Sequence, residues 1–265
     1  MKIHGTAKGA ALSTKDFGVA FGGGGAVSNF DKDQMKCYYR FEQTTGNLEN
    51  TAEDVGSSDA IANSDLVVDN ATQGATGKID YGVSFVAGAE VLKATGMDPA
   101  DLGFLSNTGA VWTVCGWVKA TTRGSDRMIF ADTNFDSGQN GIFVRMYNTT
   151  GQLQIIFGTE GVDRIVKFTS TAIPDEDWNF LMLQYDDSSG DLKMSVNNET
   201  VETVASSLNL TNTTTPTTYL YIGNDTTQDV TDWIGSLDEW VIFNRILTSD
   251  EITDLYADGN GLIIV

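Results

Sequence analysis

From Lys36 to Arg245 the chain repeats one pattern: a short run that favours extended backbone, then a turn, then another run. "KCYYRFE", "KIDYGVSFVAG", "VWTVCGWVKA", "RMIFAD", "GIFVRMYN", "LQIIFG", "RIVKFTS", "WNFLMLQYD", "LKMSVNN", "YLYIGN" and "GSLDEWVIFNR" follow one another. Segments such as "NTTGQ", "DDSSGD" and "NNE" separate them. Gly, Asn and Asp accept the backbone angles of tight turns, and 28 Gly against 3 Pro suits strands that must keep their N–H groups. Strands so numerous and so closely spaced predict an all-β sandwich or barrel. Alternation assigns faces: Trp112, Val114 and Gly116 on one side, Cys115 and Trp117 on the other. By the same rule Ile79, Tyr81, Val83 and Phe85 share a face. Two stretches read as short helices. "DPADLGFL" has Pro99 at its first turn, and "TSDEITDLYADG" has Thr248 or Ser249 as N-cap, acids in its first turn and Gly259 as a stop.

Residues 1–34 differ from the rest. They are rich in Gly, Ala and Lys, include "GGGG" at 22–25, and hold too few large apolar side chains for a core. They read as an N-terminal arm on a domain spanning 35–265. In "DFGVAF", Phe17, Val19 and Phe21 alternate in a strand-like register suited to docking on another subunit's sheet edge. The arm is expected to serve assembly and to be dispensable for folding the sandwich.

The formal charge is −20, from 16 basic and 36 acidic residues, with no cluster of Lys and Arg. That argues against nucleic acid as a partner and against adhesion to anionic membranes. No window approaches the roughly twenty apolar residues of a membrane helix, and the N-terminus lacks the apolar stretch of a signal peptide. The expectation is a protein made and left in the cytoplasm, unless an unconventional route or cell lysis releases it. His4 is the only histidine, so a His-based metal cage within one chain is excluded and a Ser-His-Asp triad would need His4. Cys37 and Cys115 lie in strand-like runs and read as buried thiols, with one disulfide as the alternative.

The order "VWTVCGWVKA", "WNFLMLQYDDSSGDLKMSVNN", "YLYIGND" and "WIGSLDEWVIFNRILTSDEITDLYADG" resembles the laminin-G-like branch of the concanavalin A-like lectin/glucanase superfamily, pentraxin-like domains included. The resemblance covers about residues 36 to 260 and is most specific in the closing segment. It implies a two-sheet antiparallel jelly-roll sandwich with one or two short helices. The family includes carbohydrate-binding modules, adhesion modules, glycosidases and virion components, and fold does not choose among them.

Candidate sites follow from chemistry. A retaining glycosidase needs two carboxyl groups about 5 Å apart on one cleft, and on a strand that calls for residues i and i+2. Asp238 and Glu239 are neighbours, so alternation points them to opposite faces. "DED" at 175–177 alternates but follows Pro174 in a loop. The chain is therefore expected not to be an enzyme. Calcium is the expected cofactor, held by Asp132, Asn134 and Asp136 at alternate positions of "DTNFDSGQNG"; the alternative pair, Asp54 and Asp238, is what the resemblance to lectin-like sandwiches with a rim calcium implies, and spacing does not derive it. Against an EF-hand, Ser137 stands where the loop wants Gly and Phe143 where it wants Glu. A plain hairpin turn is the competing reading. For stacking on sugars, Trp233 in "QDVTDWIG" is the exposed candidate and Tyr147 a second one. Trp112, Trp117, Trp178 and Trp240 are assigned to the core. The expected function is a non-enzymatic structural or surface protein of a phage or archaeal virion, acting in assembly or in attachment to host-surface glycans. Its partners would be copies of itself or other subunits. A stand-alone carbohydrate-binding module or adhesin is the alternative, and a glycoside hydrolase the weakest reading.

Overall fold

The computed structural model describes residues 25–27, 30–86, 90–121, 126–132, 140–158, 164–214, 216–224 and 232–265. In chain order the strands are β1 (Gly25–Val27), β2 (Met35–Tyr39), β3 (Val67–Asp69), β4 (Thr72–Thr76), β5 (Tyr81–Phe85), β6 (Val91–Lys93), β7 (Val111–Ala120), β8 (Arg127–Ala131) and β9 (Gly141–Tyr147). They continue with β10 (Gln152–Gly158), β11 (Arg164–Ala172), β12 (Asn179–Asp186), β13 (Asp191–Val196), β14 (Glu202–Ala205), β15 (Tyr221–Ile222), β16 (Gly235–Phe243) and β17 (Leu262–Ile264). Helix α1 spans Ser249–Tyr256.

Two antiparallel sheets form the sandwich. One runs β11-β10-β9-β8-β15-β6-β3, the other β14-β13-β12-β7-β16-β5-β4. On the free edge of β16, β5 pairs with residues 235–237 and β2 with residues 240–243. The space between the sheets is filled by alternate side chains, among them Trp112, Val114, Val118, Leu181, Leu183, Tyr185, Val144, Ile155 and Trp240. Burial of this order is the main stabilising term of such a domain. The opposite face of β7, β12 and β16 carries Cys115, Trp117, Phe180, Met182, Val241 and Phe243. Phe30, α1 through Ile252 and Leu255, and β17 through Leu262 and Ile264 cover it.

Helix α1 begins where its sequence says it should. The Thr248 side chain accepts from the Glu251 N–H, and the Glu251 carboxylate accepts in turn from the Thr248 N–H. This closed capping box satisfies two otherwise orphaned donors. The helix stops before Gly259, because Ala257 and Asp258 already take left-handed backbone. "DPADLGFL" forms a 3-10 segment, Pro99–Leu105, capped by Asp98. Alternation fails at Tyr81, which is 49% exposed. The strand starts only there, after a turn in which the Gly77 N–H bonds Asp80 O and Asp80 takes φ +44°. Ile79 belongs to that turn and is buried for a different reason, against Trp117 and the 261 backbone. Cys37 and Cys115 are both buried and free, and burial pushes the Cys37 thiol up to about 11 and that of Cys115 higher still.

Of the segment read as the arm, Phe17, Val19 and Phe21 lie outside the described residues. Residues 25–27 pair in parallel with β17, and Phe30 is buried with its ring 6.0 Å from that of Phe243.

Candidate functional site

The acid pair of β16 sits on an irregularity that sequence alternation cannot anticipate. Asp238 pairs with Trp117 and Val241 with Cys115, so Glu239 and Trp240 together stand opposite Gly116. Glu239 takes φ +48°. This is a β-bulge, one extra residue on one strand, and it falls where the neighbour of β16 changes from β5 to β2. A Cβ on residue 116 would lie 2.0 Å from the Trp240 ring, so the glycine admits the indole into the core.

The bulge corrects the expectation that Asp238 and Glu239 point to opposite faces. Leu237 and Trp240 both enter the core between the sheets, which leaves both acids toward the side of Tyr38 and Trp117. Asp238 is fully buried and accepts from the N–H groups of Lys78 (2.7 Å), Ile79 (2.8 Å) and Glu239 (2.9 Å). Glu239 accepts from the Tyr38 hydroxyl, which in turn accepts from the Ile264 N–H at 3.2 Å. Arg40 Nε stands 3.7 Å from Glu239 Oε1. Burial pushes the Asp238 carboxyl up to about 8 against the pull of its donors. Burial and the adjoining Asp238 raise Glu239 well above the ordinary carboxyl range. These carboxyl groups tie the 77–80 turn and β17 to the sheet.

Trp233 is corrected as well. It is fully buried in the core between the sheets, its backbone N–H donating to Gly223 O at 2.7 Å. A lone indole beside polar residues gains more by filling the core than by facing water. Trp112, Trp117 and Trp240 are buried as expected, and Trp178 is half-buried.

Tyr147 remains accessible and has a partner that alternation had not singled out. Its ring meets Phe168 of β11 edge-on, centroids 5.0 Å apart, and Phe168 is 45% exposed. Both rings lie on the outer face of their sheet, on the same side as Phe143 and Arg145. Arg145 is held beneath them. Its Nε donates to Gln154 Oε1 at 2.6 Å and its guanidinium pairs with Asp126 at 2.7 Å. The signal for Phe168 is present in "RIVKFTS", where Val166 and Phe168 alternate with polar residues; the exposed side of an edge strand gives no reason in sequence to prefer it.

Of the metal candidates, Asn134 and Asp136 lie outside the described residues. Asp132 is fully buried: Oδ1 accepts from the Ile142 N–H, Oδ2 has no partner, and burial pushes the carboxyl up to about 7. Asn140 Oδ1, at the far end of the same loop, is likewise buried without a partner. Among the described residues these two oxygens, a carboxylate and an amide, have no partner, and both are of the hard type that calcium prefers. Asp54 is exposed in the 51–56 turn while Asp238 is saturated by backbone donors, and the two share no bonding partner. Among the described residues no three acidic, histidine or cysteine side chains group as a metal site, and no helix is long and apolar enough to cross a membrane.

Comparison with known proteins follows this geometry. The solved structure of Trypanosoma rangeli sialidase in complex with sialic acid superposes with a TM-score of 0.58 at 14% identity, covering 86% of this chain and 34% of that one. The chain thus spans about a third of the length of that sialidase. The Ruminococcus gnavus IT-sialidase CBM40 bound to alpha2,3 sialyllactose gives 0.50 at 14% identity, covering 64% of this chain and 93% of that one. A heptameric SAP-like pentraxin from Limulus polyphemus gives 0.43 at 16% identity, with 61% and 77% covered. At these identities the likeness to the sialidase and to the CBM40 is one of fold. No curated protein sequence matches the chain. Residues 94–253, more than half of the chain, match the family model Laminin_G_3, and the chain belongs to the concanavalin A-like lectin/glucanases superfamily.

Proposed function

We propose that this protein is a non-catalytic, lectin-like surface component of a larger particle such as a virion, and that it attaches to glycans. The observation that carries the reading is the Tyr147–Phe168 pair. A pyranose presents an apolar C–H face that packs on an aromatic ring and hydroxyls that need polar partners beside it. Phe168 supplies the ring; Arg145, Gln154 and Asp126 supply polar groups whose positions are fixed by one another. The superfamily and the two sialic-acid-related structural neighbours agree with sugar recognition at the level of fold. The non-catalytic part is supported by the burial of Asp238 and Glu239, the first holding three backbone N–H groups and the second accepting from the Tyr38 hydroxyl. The assembly part rests on the sequence pattern of residues 1–24, since β1 docks the following residues on β17 of the same chain.

A glycan array tests the reading directly. Wild type should bind a restricted set of glycans, and Tyr147→Ala with Phe168→Ala should lose that binding while keeping its melting temperature. No array signal for wild type, or an unchanged signal in the double variant, sinks it. Light scattering addresses assembly. The full chain should be oligomeric and a chain lacking residues 1–24 monomeric, whereas a monomeric full chain favours a stand-alone module or adhesin.

A further inference from the structure

The outer face of the eight-stranded sheet is not covered completely. Beyond α1, toward β14, a groove of about 410 Å³ remains, within the range of about 300–1,000 Å³ common to small-ligand sites. Its floor is polar: Gln184 of β12, Lys193 and Ser195 of β13 and Thr203 of β14. Register puts them there, since Gln184 pairs with Lys193 and Lys193 with Thr203, while Ser195 is two residues farther along the same face. The opposite wall is Leu247, Ser249 and Ile252. The rim is set by Asn198, whose amide donates to Thr253 Oγ1 of α1 at 3.1 Å and so fastens the β13–β14 turn to the helix.

Two groups on the floor have bonding capacity to spare. Ser195 is 2% exposed, and its hydroxyl, at the bottom of the groove, is bonded to nothing. Buried hydroxyls are almost always paired, so an unpaired one at a cavity floor points to a partner supplied from the cavity. Gln184 is fixed in orientation: its amide nitrogen donates to Leu247 O (2.9 Å) and Thr113 Oγ1 (3.2 Å), and a carbonyl can only accept. Its amide oxygen is therefore the acceptor turned away from those partners.

We propose that this groove is a second binding site, separate from the Tyr147–Phe168 platform, and that it takes a neutral sugar residue. Elimination and match agree. The floor's one cation, Lys193, is paired with Asp191 at 3.2 Å, and the whole chain carries a charge of −20, so a phosphate or carboxylate ligand would be repelled. Among the described residues the lining holds no aromatic ring on which a nucleobase could stack. Hydroxyls and amides that both donate and accept, beside the aliphatic side chains of Val201, Leu247 and Ile252, suit a ring with hydroxyls on its edge and C–H groups on its face.

The experiment is an NMR titration of the full chain with the methyl glycosides of glucose, galactose, mannose and N-acetylglucosamine, and with N-acetylneuraminic acid. At least one neutral glycoside should move the amide resonances of Ser195, Thr203 and Ser249. Ser195→Ala should weaken that binding about tenfold, the effect of one lost hydrogen bond, and Thr203→Arg, on the exposed edge strand, should abolish it by filling the groove. Both variants should keep the wild-type melting temperature. Phe168→Ala should leave the groove titration unchanged, which separates this site from the platform. The proposal is overturned if no neutral glycoside moves these resonances, if Ser195→Ala binds as tightly as wild type, or if N-acetylneuraminic acid is preferred.

Discussion

The outer faces of the two sheets have been treated differently by the same chain. That of the eight-stranded sheet is roofed by the chain's own ends: Phe30, α1 and β17 close over Trp117, Phe180, Val241 and Phe243. That of the seven-stranded sheet carries a small buried cluster including Val91, Met128 and Phe143, and beyond it leaves Val166 and Phe168 in water, at 40% and 45% exposure. A roofed face spends its apolar residues on stability and buries whatever polar groups it contains, as with Asp238 and Glu239. A bare face keeps apolar and polar groups available to another molecule. Recognition is therefore expected where the roof stops, on the β9–β11 face and in the groove beside α1.

The largest test of this contrast is a pair of truncations. Phe243→Ala, in the roofed layer, should destabilise the fold by about 3–5 kcal/mol, through lost transfer free energy and a cavity. Phe168→Ala should stay within about 0.5 kcal/mol, as exposed substitutions do. Denaturant unfolding measures both, and equal costs would erase the distinction between the faces.

A smaller effect is expected from pH. In the folded protein the Asp238 carboxyl is raised from 3.8 to about 8, and Glu239 is raised as well, with Arg40 and Glu42 as the charged groups around them. Between those values the folded state holds protons that the unfolded chain has released. The contribution is thus fully present below about pH 4 and is lost as pH rises through about 8. Melting temperature should fall over that window, and Asp238→Asn with Glu239→Gln should flatten the fall. A rise with pH would mean that the three N–H donors on Asp238 outweigh its burial.

The smallest effect concerns calcium. If the loop after Asp132 holds the ion, a chelator should lower the melting temperature by a few degrees in wild type and not in Asp136→Ala, because a ligand that binds only the folded state stabilises it. An unchanged wild-type curve leaves the loop a plain turn.

Much of the sandwich was legible because alternation reports burial wherever strands pair regularly. The faces of β7 came out as read, with Trp112 and Val114 on one side and Cys115 and Trp117 on the other. The α1 cap was legible because its chemistry is local to four residues. The site was less so. Trp233 was misassigned because local polarity says nothing about a side chain that reaches across into the core. Phe168 was not singled out because an exposed apolar residue on an edge strand looks like any other. The groove could not be foreseen from "LKMSVNN", since it exists only where Ser195 meets the flank of a helix more than fifty residues away in sequence.

Gly116 and Trp240 have a consequence for how the chain finds its pairing. Strands β7 and β16 are central, and their apolar alternation alone would tolerate sliding by two residues, since the same faces would still be buried. The indole forbids it. A slip of two would set Trp240 against Val114 or Val118 in place of the one position on β7 without a side chain. Misaligned pairings of the two strands are thereby penalised by collision, and the extra residue of the bulge acts as a registration mark for the closing segment of the chain.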